Sequence, residues 1–316
     1  MDTHASQETE TGYAGPSARL AIEGRATVIA VANQKGGVGK TTTTVSLGAA
    51  LAQGGARVLL IDLDPQGNAS TGLDVRISSD EPSTYDAIVE GLPIAQAVRA
   101  TAIDGLSVLP SSLELAGAEV ELVQAMARER ALARAVEPAR AEHDVILIDC
   151  PPSLGLLTIN AFVAADQLLV PIQCEYYALE GLTQLMRTVN LVEENLNPGL
   201  SIGSVVLTMY DARTRLAQQV VDEVRGFFQD RAYSTIIPRT VRLSEAPSYA
   251  QPITVFDPES RGAEAYLALA EEFATRLGIA AFDAKRAARV AKETKAAEIA
   301  AIQAAQDADN RTGDEA

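Results

Sequence analysis

The sequence predicts an α/β fold, a doubly wound and mostly parallel sheet with helices on both faces in a single domain. Three features point to it. Short apolar runs rich in β-branched residues recur along the chain, helical patterns separate them, and a glycine-rich loop joins the first run to the first helix. Strands that alternate with helices form right-handed βαβ units, and these build a parallel sheet that helices cover on both sides.

The predicted strands are continuous apolar runs, a pattern typical of strands that are buried on both faces. They are Thr27–Ala32, Arg57–Ile61, Leu106–Leu109, Val145–Ile148, Gln167–Pro171 and Ile202–Leu207. The predicted helices lie between and after them, at Thr41–Gln53, Leu113–Val136, Leu154–Ala165, Glu180–Leu196, Leu216–Gln229 and Gly262–Leu277.

Composition divides the chain into three segments. Residues 1–24 are mostly polar, lack apolar periodicity and are predicted to be a disordered arm. Residues 25–278 form the predicted domain, and residues 279–316 form a charged, alanine-rich tail predicted to be helical or disordered. Because the tail has few large apolar residues, it is expected to bury little. The N-terminus is unlike a secretory signal, and no apolar run of about eighteen residues predicts a transmembrane helix.

Charge and cysteine content limit the possible functions. Of the 316 residues, 47% are hydrophobic and 22% are charged, which is ordinary for a globular protein. Two cysteines, Cys150 and Cys174, exclude a disulfide framework and a four-cysteine zinc site supplied by one chain. The formal charge of −16 by itself counts against nucleic-acid binding.

The most specific motif is the loop QKGGVGKTT, which directly follows the first predicted strand and opens a helix. That context is what a phosphate-binding P-loop requires. Its glycines let the backbone wrap closely around phosphate, and the N-terminus of the following helix adds positive potential. The fold expected is therefore that of P-loop NTPases. The loop residues predicted to bind nucleotide are Lys35, Gly36, Gly37, Val38, Gly39, Lys40, Thr41 and Thr42.

Two acidic motifs, DLDPQGN and DCPPS, follow predicted strands. Ligands of an open parallel sheet bind beyond the carboxyl ends of its strands, so both motifs are expected to face the P-loop. Lys40 is expected to reach the β- and γ-phosphates, while Thr41 and Asp149 hold Mg²⁺, the carboxylate through water. Asp64 is the candidate to orient the attacking water and a further candidate at the metal. Asp62 is either a second carboxylate on the metal side or a turn residue.

The base is predicted to be adenine. Guanine-specific P-loop proteins usually carry an N/T-K-x-D motif after a later strand, and this chain has TMYD from Thr208 to Asp211, without the lysine. ATP is therefore favoured over GTP.

The P-loop departs from the common pattern, because Gln34 replaces the first glycine and a second lysine, Lys35, follows it. This KGGVGKT form resembles the deviant Walker A motif of the ParA/MinD superfamily. Further segments resemble ParA/Soj chromosome-partitioning ATPases over roughly residues 25–278. They are DLDPQGN, LAGAEVEL, IDCPPSLGLLTINA, PIQCEYYALEGL, LTMYDART, IPRTVRLSEAPSYAQPI and FDPESRGAEAY.

The resemblance implies roles for residues at the nucleotide. In that family the extra lysine reaches the nucleotide of the partner subunit across a face-to-face dimer. Lys35 would then stabilise transferred phosphoryl charge in trans, as an arginine finger does. Gly36 would lie at the dimer contact, where a side chain would clash. The resemblance places the adenine near Met209, Pro238 and Arg239.

The resemblance also implies a function, an ATP-dependent DNA-partitioning switch. ATP would drive a sandwich homodimer that binds double-stranded DNA without sequence preference, and a ParB-type centromere-binding protein would stimulate hydrolysis and release. Arg213 and Arg242 would contact DNA, with Arg215 and Arg239 as neighbouring candidates. The expected location is cytoplasmic and nucleoid-associated. The acidic charge is then interpreted as a repulsive background that limits DNA binding outside the ATP dimer.

Three other classes are weighed against this interpretation. A MinD-like, membrane-associated positioning ATPase is the nearest alternative, but it needs bulky apolar residues in the tail, so no stable membrane association is expected. The nitrogenase iron protein shares this P-loop class and binds a cluster through cysteines, whereas Cys150 and Cys174 are expected to be small buried thiols. A bacterial tyrosine kinase would carry a tyrosine-rich tail, and no tyrosine follows Tyr266.

Overall fold

The computed structural model describes residues 24–175 and 180–313, and these build an eight-stranded sheet. Its strands are β1 (Thr27–Val31), β2 (Val58–Asp62), β3 (Arg99–Ala100), β4 (Leu106–Leu109), β5 (Val145–Asp149), β6 (Gln167–Gln173), β7 (Ile202–Tyr210) and β8 (Ala232–Pro238). Their order in space is β3-β4-β2-β5-β1-β6-β7-β8, and only the pairing of β3 with β4 is antiparallel. The doubly wound, mostly parallel sheet expected from the sequence is therefore confirmed.

Helices cover both faces of this sheet. They are α1 (Lys40–Gln53), α2 (Asn68–Thr71), α3 (Ile94–Ala97), α4 (Leu115–Glu121), α5 (Ala131–Val136), α6 (Leu156–Ala164), α7 (Glu180–Asn195), α8 (Arg215–Phe228), α9 (Val241–Glu245), α10 (Ile253–Phe256), α11 (Arg261–Leu277) and α12 (Ala284–Gly313). Short 3₁₀ segments and one π-helical segment at Asp86–Glu90 join some of them.

The core lies in two layers, because successive side chains of a strand point to opposite faces. On β1, Val28 and Ala30 belong to the layer that includes Phe162 of α6, whereas Ile29 and Val31 belong to the opposite layer with α1 and α11. The central strands are buried on both faces, which explains why they appear in the sequence as continuous apolar runs.

The six predicted strands are all present, but the sequence did not reveal β3, which has two residues, or β8. This edge strand reads AYSTIIP and has a mixed burial pattern, so it lacks the continuous apolar run of the central strands. β8 carries Pro238 to the same end of the sheet as Tyr210, its partner on β7.

The single helix predicted over Leu113–Val136 is wrong. The chain instead forms α4 and α5, separated by a turn in which Ala127 has a left-handed φ of 51°. The Asn160 side chain stabilises this break, donating to the carbonyl of Arg128 at 3.0 Å and accepting from the amide of Leu132 at 3.1 Å. A long-range contact thus overrides the local helix propensity.

The tail prediction needs a partial correction. Residues 1–23 of the predicted arm lie outside the described residues, whereas the tail forms the long helix α12. Ala287 and Ala291 of α12 are fully buried, so its first half packs against the domain even though it has few large apolar residues. Small side chains let two helix backbones approach closely, which a count of bulky residues does not reveal. Among the residues described, no helix is both long enough and apolar enough to cross a membrane.

Candidate active site

The P-loop follows β1 and ends at the N-terminus of α1. The Asn33 side chain anchors it, donating to the carbonyl of Pro171 at 2.7 Å and accepting from the Lys35 amide at 3.0 Å. Gly37 and Gly39 have φ values of 73° and 87°, which side chains rarely adopt, so glycine is required at both positions. The two left-handed glycines therefore set the curvature of the loop between β1 and α1.

Lys40 is the buried cation of the site, 7% exposed at the first turn of α1. Burial lowers the pKa of Lys40, and the nearby Asp149 and Asp64 carboxylates oppose that effect. The ammonium donates to the carbonyl of Lys35 at 3.4 Å, so it already lies inside the loop. Lys35 itself is exposed, and its ammonium forms no hydrogen bond or ion pair within the described part of the chain.

Asp149 ends β5 and faces α1. Its two oxygens accept hydrogen bonds from the hydroxyls of Thr41 at 2.7 Å and Thr44 at 3.0 Å. Complete burial, together with the charge of Asp62, raises the pKa of Asp149 to about 7. The Lys40 ammonium and the two hydroxyls oppose this shift without cancelling it. Thr41 and Asp149, both predicted at the metal, are therefore in direct contact.

Asp62 and Asp64 have different environments. Asp62 is buried, and its carboxylate accepts from the amide and the hydroxyl of Ser70 at 2.8 and 2.7 Å. These bonds hold the loop after β2, so the structure favours the turn role for Asp62 over the metal role. Asp64 is half-buried and accepts from the amide of Gln66 at 3.0 Å. Its charge acts on Lys40, which places it on the P-loop side.

The residues predicted to surround adenine share a cavity of about 280 Å³. Met209, Pro238 and Arg239 line it together with Gly39 and Thr42 of the P-loop. Met209 has a left-handed φ of 53°, an unusual conformation for a side chain of its size at the end of β7. The cavity therefore opens directly onto the phosphate loop.

The two cysteines are buried, with exposures of 0% for Cys150 and 4% for Cys174. Burial raises the pKa of the Cys150 thiol, and it raises the pKa of Cys174 to about 12. A cluster shared between subunits needs thiolates at the surface, so these thiols do not fit that role.

The candidate DNA-contact arginines follow β7 and β8, two neighbouring strands of the same sheet. Arg213 is 88% exposed and pairs with Asp211 at 2.6 Å. Arg242, at the start of α9, is 57% exposed and pairs with Glu245 and Asp257, each at 3.1 Å. The neighbouring candidate Arg239 pairs with Glu175 at 3.4 Å, while Arg215 begins α8. Both predicted arginines therefore follow the carboxyl ends of parallel strands, and both are neutralised by carboxylates of their own chain.

Sequence reasoning missed one site residue, Thr44. Its hydroxyl binds the second oxygen of Asp149, so two threonines of α1 hold the carboxylate. The signal was present in the run TTTT, because residues three apart lie on the same face of a helix.

Comparisons with known proteins show which family the chain resembles. A family model described as an AAA domain matches residues 26–202. The chain is 56% identical over 247 residues to the sporulation initiation inhibitor protein Soj of Bacillus subtilis, covering 78% of this chain and 98% of that protein. It is 51% identical over 251 residues to the chromosome partitioning protein ParA of Caulobacter vibrioides, covering 79% and 94%.

A solved structure shows the same fold. The crystal structure of cobyrinic acid a,c-diamide synthase from Mycobacterium smegmatis, with bound ADP and magnesium, matches with a TM-score of 0.68 and 39% identity. The match covers 78% of this chain and 93% of that one. Identity to Soj and ParA is higher and extends over nearly their whole length, so the chain belongs to the ParA/Soj family of chromosome-partitioning ATPases.

Proposed function

We propose that this protein is an ATP-dependent DNA-partitioning switch. ATP binding drives a sandwich homodimer that binds double-stranded DNA without sequence preference, and a ParB-type partner stimulates hydrolysis and releases the dimer. The observation that carries the proposal is the P-loop, where Lys40 is buried beside the phosphate position while Lys35 and Gly36 are exposed. The same loop thus places Lys40 at its own nucleotide and exposes Lys35, which can reach the nucleotide of a second subunit.

The residues present fit ATP and Mg²⁺. A Cβ built on Gly36 or Gly37 meets no atom within 4 Å, so the loop leaves open space for a phosphate chain. Among the described residues, no three His, Cys, Asp or Glu side chains are placed to hold a metal together. That suits Mg²⁺, which binds through one or two protein oxygens, water and substrate phosphates. Thr41 and Asp149 would hold it, and the ion would supply charge neutralisation at the phosphates.

Hydrolysis requires a group that orients the attacking water. Asp64 is suited to that role, because it is half-buried and its charge acts on Lys40. A carboxylate in this position accepts a hydrogen bond from the attacking water and holds it in line with the γ-phosphate. Lys40 stabilises negative charge on the transferred group from within the chain, and Lys35 does so from the partner subunit.

Two features support a homodimer that forms across the nucleotide. Gly36 has an ordinary φ and open space around it, so nothing in its own chain excludes a side chain there. A second copy of the chain that packs closely against the loop would explain why this position has no side chain. The second feature is a set of exposed apolar side chains. Leu113 is 81% exposed and lines a cavity with Pro65 and Gln66, which directly follow Asp64. Other exposed apolar side chains follow in and after α4, namely Val120, Val123 and Met126.

The paired arginines support DNA binding that depends on assembly. In a single chain, Arg213 and Arg242 are neutralised locally, and the chain as a whole carries −16. Exposed ion pairs contribute little free energy, so a DNA phosphate can replace the carboxylate partner. A dimer presents each arginine twice, and phosphate-directed affinity rises steeply with the number of contacts. The proposed location is the cytoplasm, in association with the nucleoid.

The test is DNA co-sedimentation of the full-length protein with no nucleotide, with ADP, with ATP and with a non-hydrolysable ATP analogue. We expect retention only with ATP and the analogue, and we expect it to fall steeply with added salt. Equal retention in all four conditions would refute an ATP-controlled DNA switch. Liposome flotation under the same conditions separates the MinD-like alternative, which requires ATP-dependent flotation that is lost when the tail is removed.

A further inference from the structure

The C-terminal helix α12 is docked on the domain beside the segment that carries Arg242. The amide of Asp283, just before α12, donates to the carbonyl of Gly54 at the end of α1, at 2.9 Å. Ala287 and Ala291, one turn apart on α12, are fully buried. The helix also packs against α10 and α11. Its first half is therefore anchored independently of the polar contacts that follow.

Beyond this anchor, α12 reaches the ring of Phe256, the last residue of α10. The Lys295 ammonium lies 6.0 Å from the centre of the Phe256 ring, and the Arg242 guanidinium lies 5.7 Å from it. The Tyr249 ring also packs on Phe256, with centroids 4.8 Å apart. One aromatic ring thus contacts α12 and the candidate DNA-contact arginine at the same time.

A hydrogen-bond network also joins α12 to the loop before α10. Gln251, in the loop before α10, donates its side-chain amide to Glu298 of α12 at 2.7 Å. Lys295 donates to the other oxygen of Glu298 at 2.9 Å. The Lys295 hydrogen bond lowers the pKa of Glu298, so this acceptor is ionised at neutral pH. Both side chains are only about one-third exposed, at 27% and 31%.

The segment held in this way consists mostly of short helical pieces, with a 3₁₀ turn at Ala246–Tyr249 between α9 and α10. α9 has five residues and α10 has four, and the loop between them contains Ala250 with a left-handed φ of 55°. Helices this short are not stable by themselves, so the position of Arg242 depends on packing from other elements.

We infer that α12 is a positioning element of the DNA-contact surface, in which Glu298, Gln251 and Lys295 hold the segment Val241–Phe256 so that Arg242 can reach a DNA phosphate. The inference rests on the proposed function, because it assumes that Arg242 contacts DNA. Fixing the backbone beneath an arginine removes part of the conformational entropy that binding would otherwise cost.

Two variants with the same charge change provide the test. Glu298→Ala removes the acceptor of the network, whereas Glu293→Ala removes a carboxylate of the same helix whose contact is the exposed pair with Arg289. Each makes the chain less negative by one charge, so electrostatics alone predicts that both bind DNA equally well or slightly more tightly. Positioning predicts that only Glu298→Ala weakens binding, by about fivefold.

The measurement is fluorescence anisotropy of a labelled double-stranded DNA of arbitrary sequence, with full-length protein and ATP, at several salt concentrations. Glu298→Gln keeps an oxygen that can accept from Gln251, so it should retain most of the affinity. Gln251→Ala should resemble Glu298→Ala, and the double variant should be no weaker than either single variant. ATPase activity without DNA and ATP-dependent dimerisation should equal those of the wild type in all of them.

Three results would overturn the inference. Unchanged DNA affinity in Glu298→Ala, with loss of affinity in Arg242→Ala, would remove the role of α12 and leave the proposed function intact. Loss of dimerisation or of ATPase activity in Glu298→Ala would show a general structural role instead. Unchanged affinity in Arg242→Ala would reject the DNA-contact surface itself, and the positioning role with it.

Discussion

Replacing Asp149 by Asn tests the electrostatics of the nucleotide site in the protein alone, without nucleotide or Mg²⁺. Burial and the Asp62 charge raise the pKa of Asp149 from 3.8 to about 7 in the folded chain. An unfolded aspartate releases its proton near the lower value. Between these two values folding takes up a proton at Asp149, so the contribution of Asp149 to the free energy of unfolding falls as pH rises through that window and is constant above it.

The expected size follows from the shift. Three pKa units correspond to roughly 4 kcal/mol, of which the part between about pH 5 and about pH 8.5 is roughly 3 kcal/mol. The Asn variant has no proton to release and lacks this term. Without nucleotide and Mg²⁺, its stability relative to wild type should therefore increase by roughly 3 kcal/mol over that range.

The assay is urea unfolding of both proteins at the two pH values, with Asp144→Asn as control. Asp144 lies just before β5, and although burial raises its pKa, the hydrogen bonds from Arg57 outweigh burial and lower it overall. It is therefore ionised throughout the range, and its variant should differ from wild type by the same amount at both pH values. Mg²⁺ with ATP should stabilise wild type at the higher pH and stabilise Asp149→Asn much less. A pH-independent difference between wild type and Asp149→Asn would refute the reasoning.

Three further predictions concern function. Lys40→Ala should weaken ATP binding roughly 100-fold or more, measured by calorimetry, because the buried cation beside the phosphates is lost. Asp64→Ala should bind ATP and accumulate as a dimer in gel filtration while hydrolysing about 100-fold or more slowly, and normal turnover would reject its role. Arg213→Ala and Arg242→Ala should keep ATP-dependent dimerisation but lose DNA affinity. In each variant the slope of log affinity against log salt concentration should become shallower by the equivalent of about one to two phosphate contacts. An unchanged salt slope would exclude both arginines from the interface.

Much of the nucleotide site could be predicted from the sequence, because its chemistry lies in short contiguous motifs. The P-loop needs a strand before it, a helix after it and glycines at positions of positive φ, and all three are local properties. The pairing of Thr41 with Asp149 also followed, since parallel strands bring their carboxyl ends to one edge of the sheet. The sequence left the role of Asp62 open between the metal and the turn, because only the tertiary structure shows that its carboxylate accepts from Ser70.

The sequence by itself determined the fold class, the central strands and the phosphate loop, because buried parallel strands and P-loops have patterns that a few neighbouring residues specify. Tertiary structure alone decided the break between α4 and α5, which depends on Asn160 from a distant helix. It also decided the place of α12, which buries two alanines and packs against α1, α10 and α11. Contacts between residues far apart in the chain depend on the shape of both surfaces, and no local pattern encodes that shape.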